Sequence, residues 1–316
     1  MMPKSMTIAI VSLGLTLGLP AFAQNPARPG TVNYVEGAAT LNGQPVTDGN
    51  VGTADLNPGD EFATQQGKAE ILLTPGVFLR LDDNSTVKMI SPDLTQTQIQ
   101  LERGRAGIEV DEIHPENNLD IIDSGVTTRL LKNGYYEFNA DQPTALVFDG
   151  KASVETGDST YRDVKSHHEL ALVAAPNSRP LAKEKPTEFN VDASKDDLYS
   201  WNSLRSQYLA EANNQIAGEY AGGPGFYPGW YWDPSMLGYT YIGVGPFYSP
   251  FGWGFYPFGW GGGWYGGRYG GWYGGHGVYR GGAPIHGYAG GSFHGGGFAG
   301  GGGFHGGGGF GGGGHR

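Results

Sequence analysis

From Asp60 to Val154 apolar and polar residues alternate in short runs. Ala69, Ile71 and Leu73 share one parity, as do Val77, Leu79 and Leu81, then Ile99 and Leu101, then Ala106, Ile108 and Val110. Successive side chains of a strand point to opposite faces, so period two predicts strands with one face buried and one face wet. Turn residues punctuate the runs at Gly59, Gly67, Gly76, Asp83-Asn84, Gly104, Asn117-Asn118, Gly125, Gly134, Asp141, Gly150 and Gly157. Short strands at this regular spacing predict an all-β fold, either a solenoid-like array or a sandwich. Ahead of the array, Thr31 to Leu41 reads as two strand-like pieces around Gly37, and Asn42-Gly43 is a tight-turn pair because both residues tolerate positive φ. The β domain is expected over residues 31–173.

A different period follows. Residues 174–191 hold several prolines and mixed charges and read as a linker. Leu198, Trp201, Leu204, Tyr208, Ala212 and Ile216 then recur at three- and four-residue steps, which predicts an amphipathic helix over 192–218 with one apolar stripe. Asp192 or Ser194 can cap its start, and Gly218 can end it. The stripe allows two readings: it packs on the β domain, or Trp201, Leu204 and Tyr208 anchor a partner, since Trp and Tyr dominate binding hot spots.

Composition changes the picture after Ala221. The last 96 residues hold 40 of the 57 glycines and 26 of the 40 aromatic residues, with no lysine and no glutamate. Ordering so glycine-rich a backbone costs about 1–2 kcal/mol per residue. A disordered Gly/aromatic-rich tail is therefore expected over 219–316, its rings available for self-association or for stacking on sugars. Its histidines, His276, His286, His294, His305 and His315, lie 8 to 11 residues apart. A zinc site wants tight pairs, so no preformed metal site is expected.

The other end reads as a leader. Lys4 precedes an apolar run from Thr7 to Leu19, and Ala21-Phe22-Ala23 supplies a small-x-small cleavage site before Gln24. Thirteen residues are too few to cross a bilayer, which takes about 20. The expectation is a signal peptide over 1–23, a tether over 24–30, and a mature chain in the periplasm or on the cell surface with no transmembrane segment.

The chain has no cysteine, so disulfides contribute nothing and stability rests on a packed core. Residues 24–220 carry 30 acidic and 16 basic side chains. An acidic body disfavours nucleic acid, whose binding rests on neutralising phosphates. Asp82-Asp83-Asn84-Ser85 lacks the spaced oxygens, central glycine and terminal glutamate of a calcium loop and reads as a turn. His167 and His168 are adjacent, so on a strand they would point to opposite faces and could not easily share a metal. No nucleophile elbow, HExxH, phosphate loop or Ser/His/Asp context occurs, and no catalytic residue or cofactor is expected.

Four pieces of residues 67–154 resemble the FecR domain family. The first is Gly67-Lys-Ala69-Glu-Ile71-Leu-Leu73-Thr-Pro-Gly76-Val77-Phe-Leu79-Arg-Leu81, with Ser85 following. The second is Leu101-Glu-Arg-Gly104-Arg-Ala106. The third runs from Val126 to Asn139, and the fourth is Val147-Phe-Asp-Gly150-Lys-Ala152-Ser-Val154. One departure stands in the third piece, where Tyr135-Tyr136-Glu137-Phe138 replaces the family's Gly-Thr-x-Phe. The resemblance covers about a third of the chain and implies a periplasmic β domain. In the best-known members that domain relays an iron-siderophore signal from an outer-membrane receptor to a sigma factor. Two functional expectations follow. The first is an exported, non-enzymatic binding or scaffold protein of the bacterial envelope, whose partner is an envelope protein or glycan. The alternative is a periplasmic regulatory module in FecR-type iron/siderophore signalling.

Overall fold

The structure, a computed structural model, describes residues 27–155, 161–174, 180–181, 185–220 and 226–257. The strands are β1 (Val32–Leu41), β2 (Gln44–Val46), β3 (Glu61–Leu72), β4 (Val77–Leu81), β5 (Thr86–Asp93), β6 (Gln96–Arg103), β7 (Arg105–Val110), β8 (Asn118–Asp123), β9 (Val126–Leu130), β10 (Gly134–Asn139) and β11 (Thr144–Val147). They continue with β12 (Lys151–Glu155), β13 (Tyr161–Lys165), β14 (His168–Ala171), β15 (Val173–Ala174), β16 (Pro180–Leu181) and β17 (Thr187–Glu188). Helix α1 (Asp197–Tyr220) follows, and then β18 (Gly229–Asp233), β19 (Gly238–Ile242), β20 (Phe247–Tyr248) and β21 (Gly254–Phe255).

Strand β3 is where the sheet forks. Its first residues pair with β5 (Phe62 opposite Val87) and its last with β4 (Ile71 opposite Leu79), while β1 lies along its other edge. One branch runs β5-β6-β8-β9-β12-β13, and the other runs β4-β7-β10-β11-β14-β17. Among the described residues, pairing is antiparallel except between β6 and β8. The branches close on one apolar core: Val87, Ile99, Leu101, Ile121 and Val154 from the first meet Leu79, Ile108, Tyr136, Phe138 and Val147 from the second. This is the sandwich form of the sequence expectation, and the parity assignments hold. Ala69, Ile71, Leu73, Val77, Leu79, Leu81, Ile99, Leu101, Ala106, Ile108 and Val110 all lie in this core. Burying a Leu or Ile side chain contributes about 1.5–3 kcal/mol. Asn42 and Gly43 turn β1 into β2 with φ of 51° and 75°, the doubly positive geometry of a tight hairpin turn.

The opposite parity of the second branch departs from the expectation of a wet face. Glu70, Arg80, Glu109 and Tyr135 point away from the core, yet all are buried. Helix α1 and the hairpin β18–β19 cover them. The helix starts at Asp197 rather than near Asp192, because the Asp196 side chain caps it: Oδ1 of Asp196 accepts the backbone N–H of Tyr199 at 3.2 Å. Asp192 instead pairs with Lys195 at 2.9 Å. Within the expected linker, β17 adds a short strand beside β14.

The helix buries Leu198, Asn202, Arg205, Ser206, Leu209, Asn213 and Ile216. The single apolar stripe of the sequence reading is therefore corrected: Leu198, Ala212 and Ile216 face inward, but Leu204 and Tyr208 are exposed. Polar Asn202, Arg205, Ser206 and Asn213 take the inward places because polar partners await them, on the sheet for the first three and on the hairpins for Asn213.

The expectation of a disordered tail narrows as well. Residues 226–257 carry the two hairpins, and 221–225 and 258–316 lie outside the described residues. Trp230 meets Phe78 edge-on at 4.9 Å, and Tyr241, Tyr239, Leu72, Phe78, Leu209 and Phe255 form a second apolar cluster. Each aromatic buries roughly 150–250 Å², enough to offset the cost of ordering a glycine-rich backbone locally.

Candidate functional site

The face between β3, β4, β7, β10 and α1 is built from a cross-strand row. Glu70 stands opposite Arg80, Arg80 opposite Gly107, and Gly107 opposite Glu137. Glycine leaves a gap in the row, and the helix fills it. A Cβ on Gly107 would lie 2.6 Å from the Tyr135 hydroxyl and 2.7 Å from Oδ1 of Asn202. The gap thus lets α1 approach a row of charges.

The charges pair in a closed circuit. Arg80 donates from Nε to Oε2 of Glu70 at 2.7 Å and from Nη1 to Oε2 of Glu109 at 2.5 Å. Arg205 of the helix donates from Nη2 to Oε1 of Glu70 at 2.9 Å, and Asn33 of β1 donates to the same oxygen at 2.8 Å. Ser206 donates to Oε1 of Glu109 at 2.6 Å. The guanidinium of Arg205 also lies over the Tyr34 ring, 4.1 Å from its centroid. Burial alone would raise the Glu70 carboxyl, but Arg205 and Arg80 outweigh it and hold the group at about 2. Burial would likewise lower Arg80, and Glu109 and Glu70 hold it up.

A third acid lies beside this pair of pairs. Burial, then the neighbouring charge of Glu109, pushes the Asp111 carboxyl well above the usual range. Further along the face, burial raises Glu137 to about 7, against a hydrogen bond from Tyr135 and the charge of Arg105. Arg105 reaches Glu137 at 3.3 Å and the capping Asp196 at 2.5 Å, and Lys68 reaches Asp197 at 3.1 Å. The arrangement can hold and orient a helix.

The residues expected to anchor a partner divide. Trp201 turns toward β1, where its Nε1–H donates to Glu36 at 3.2 Å and its ring lies 6.4 Å from that of Tyr34. Leu204 and Tyr208 lie outward at 44% and 46% exposure. The cleavage residues Ala21, Ala23 and Gln24, and the tail histidines, lie outside the described residues. Asp82 to Ser85 forms the turn from β4 to β5, with Asn84 at φ 52° and Asp82 paired to Lys68.

Sequence reasoning missed Glu70, Arg80, Glu109, Arg205 and Ser206. A signal was present. Glu70 sits directly before Ile71-Leu72-Leu73, and Arg80 lies between Leu79 and Leu81. Charges inside runs that are apolar on both parities mark a strand covered on both faces.

Residues 60–167 match the family model described as FecR protein. No curated protein matches the chain. Two crystal structures of a candidate anti-sigma factor from Parabacteroides distasonis are similar at 11% identity with a TM-score of 0.34. In both cases the likeness covers 46% of this chain and 64% of the other, less than two thirds of that protein's length. No helix among the described residues is long and apolar enough to cross a membrane. The match starts one residue before β3 and ends in the turn before β14, so it takes in the whole first branch and the second as far as β11, and leaves β1, β14, β17, α1 and the hairpins outside: the chain carries a FecR domain over residues 60–167.

Proposed function

We propose that this chain is a regulatory, protein-binding module of receptor-coupled signalling in the bacterial envelope. The observation that carries the reading is the FecR domain over residues 60–167. The finer form of the reading is a periplasmic module of iron/siderophore signalling, delivered by cleavage after Ala23, that works by binding rather than by catalysis. The β sandwich supplies a rigid frame, and α1 presents Leu204 and Tyr208 outward as anchors for a protein partner. A second reading, an envelope scaffold held by the C-terminal segment to protein or glycan, is favoured by the 26 aromatic residues after Ala221.

Transcripts of a deletion strain, grown with and without ferric siderophore, test the first reading. A discrete set of transcripts should lose its siderophore response, return with the wild-type gene, and stay unresponsive with Leu204→Glu/Tyr208→Glu. An unaltered response in the deletion strain removes the regulatory reading. Loss of other proteins from the envelope fraction, with transcripts unchanged, supports the scaffold.

A further inference from the structure

We infer that the outer face of β3, β4, β7 and β10 is a recognition face for an arginine-bearing helix, and that α1 occupies it in cis as a releasable built-in ligand. The helix and its hairpins lie outside residues 60–167, yet they cover one face of that domain. Only the use of such an opening in signalling rests on the regulatory reading; the opening itself does not.

The chemistry of the two interfaces differs. The core between the sandwich layers is mostly apolar, with Thr128 and Asp123 as buried polar members opposite Ile121 and Val126. The helix interface has an apolar part, where Leu209 and Ala210 meet Leu72 and Phe78, and a charged and polar part, with Arg205 on Glu70, Ser206 on Glu109, and Asp196 and Asp197 on Arg105 and Lys68. Permanent burial gives no advantage to such groups, since apolar replacements of buried ion pairs are often neutral or stabilising. Surfaces that part and rejoin do gain from them, because each is compatible with water alone, as interfaces between moving units are.

Charge complementarity defines the occupant. At the centre of the face two buried carboxylates, Glu70 and Glu109, share the single guanidinium of Arg80. The helix supplies the missing guanidinium from Arg205 and a hydroxyl donor from Ser206. A competing partner must therefore be a helix with arginine and an adjacent small hydroxyl residue on one face. The cap would leave as one body, because the hairpins are tied to the helix. Asn213 donates to the Tyr241 carbonyl at 2.8 Å and accepts from the Tyr256 backbone N–H at 2.7 Å. Thr240 donates to the Leu209 carbonyl at 2.7 Å, and Trp253 to the Ser203 carbonyl at 3.0 Å.

The test uses the full chain, hydrogen exchange resolved by mass spectrometry, and a fluorescent synthetic peptide of residues 195–220. In Arg205→Ala, amides of α1 and of β18–β19 should exchange together at least tenfold faster than in wild type, with β5, β6 and β8 unchanged. The peptide should bind this variant at least tenfold more tightly than wild type, and a peptide with alanine in place of Arg205 should not bind. Uniform acceleration across both layers overturns the inference, as do acceleration of α1 alone, unchanged exchange, or equal peptide binding to both proteins. Should Arg205→Ala fail to fold, Ser206→Ala is read by the same criteria. A negative result here with an intact transcript phenotype rejects the releasable cap and leaves the regulatory reading standing; the converse pair of results separates them the other way.

Discussion

Arg205 and Glu70 form an ion pair across 135 residues of sequence, at 2.9 Å and sealed from water. Each belongs to a different part of the molecule, one to the C-terminal helix and one to the FecR sheet. The pair is therefore the point at which loss of one side chain is felt by both.

Removing Arg205 leaves Glu70 with Arg80 and Asn33 but without its helix partner. Breaking a buried pair from one side costs about 3–5 kcal/mol. Arg205→Ala should lower the free energy of chemical unfolding by that order. Asp197→Ala, whose carboxylate is largely exposed beside Lys68, should cost no more than about 1 kcal/mol. Equal losses in urea melts would show that the buried pair is not the main tie.

Two carboxyls set opposite pH trends. Glu70 is held at about 2, below its unfolded value of 4.5, so its contribution is complete above pH 4.5 and is lost as pH falls toward 2. Glu137 is raised to about 7, so its contribution is complete below pH 4.5 and is lost as pH rises to about 7. Facing Glu137 are Tyr135 on its own strand, Arg105 on β7 and Asp196 at the helix start. Urea midpoints taken between pH 4.5 and 8 should fall more steeply in wild type than in Glu137→Gln. Parallel profiles would remove Glu137 as the cause.

Leu79 and Ile108 are register partners in the core. Either truncation to alanine should cost about 2–5 kcal/mol, from lost transfer energy plus a cavity. Asp83→Ala, in the exposed turn, should stay within about 0.5 kcal/mol. Thermal melts showing the reverse order would contradict the face assignment.

Gly107→Ala should destabilise the helix interface by about 1–3 kcal/mol, since its Cβ has no room against Tyr135 and Asn202. Pairing it with Asn202→Ala, which empties part of the gap, should recover some of the loss. Additive losses in a double-mutant cycle would mean the two positions do not share space.

Leu204→Ala with Tyr208→Ala should leave the melting curve within about 0.5 kcal/mol of wild type, because both side chains are exposed. Trp201→Ala should cost more, through its contacts with Glu36 and Tyr34. A large loss from the first pair would place those residues in the core.

The sandwich core was legible because period two assigns Leu79, Ile108 and their neighbours to one face without reference to anything distant. The covering of the other face was not, because the reason for burying Glu70 and Arg80 lies in Arg205 and Ser206, and no local pattern couples them. The helix stripe misled for the same cause: Leu204 and Tyr208 are apolar yet outward, while Asn202 and Arg205 are polar yet inward. The hairpins were hidden by composition. Glycine content argues for disorder residue by residue, whereas Trp230 and Tyr241 settle the matter through Phe78, far back in the chain.

Asn33 of the first strand receives the backbone N–H of Tyr239 at 2.6 Å and donates to its carbonyl at 2.9 Å. A chain that folds as it emerges from its N-terminus must wait for over two hundred residues before that clasp can close, so docking of the hairpin falls late in assembly. In the interval the Glu70–Arg80 row faces solvent on a half-finished sandwich. An apolar row there would invite nascent chains to stick to one another. Charge at those positions acts as a chaperone written into the strand, guarding the unfinished surface until the helix and its hairpin arrive to cover it.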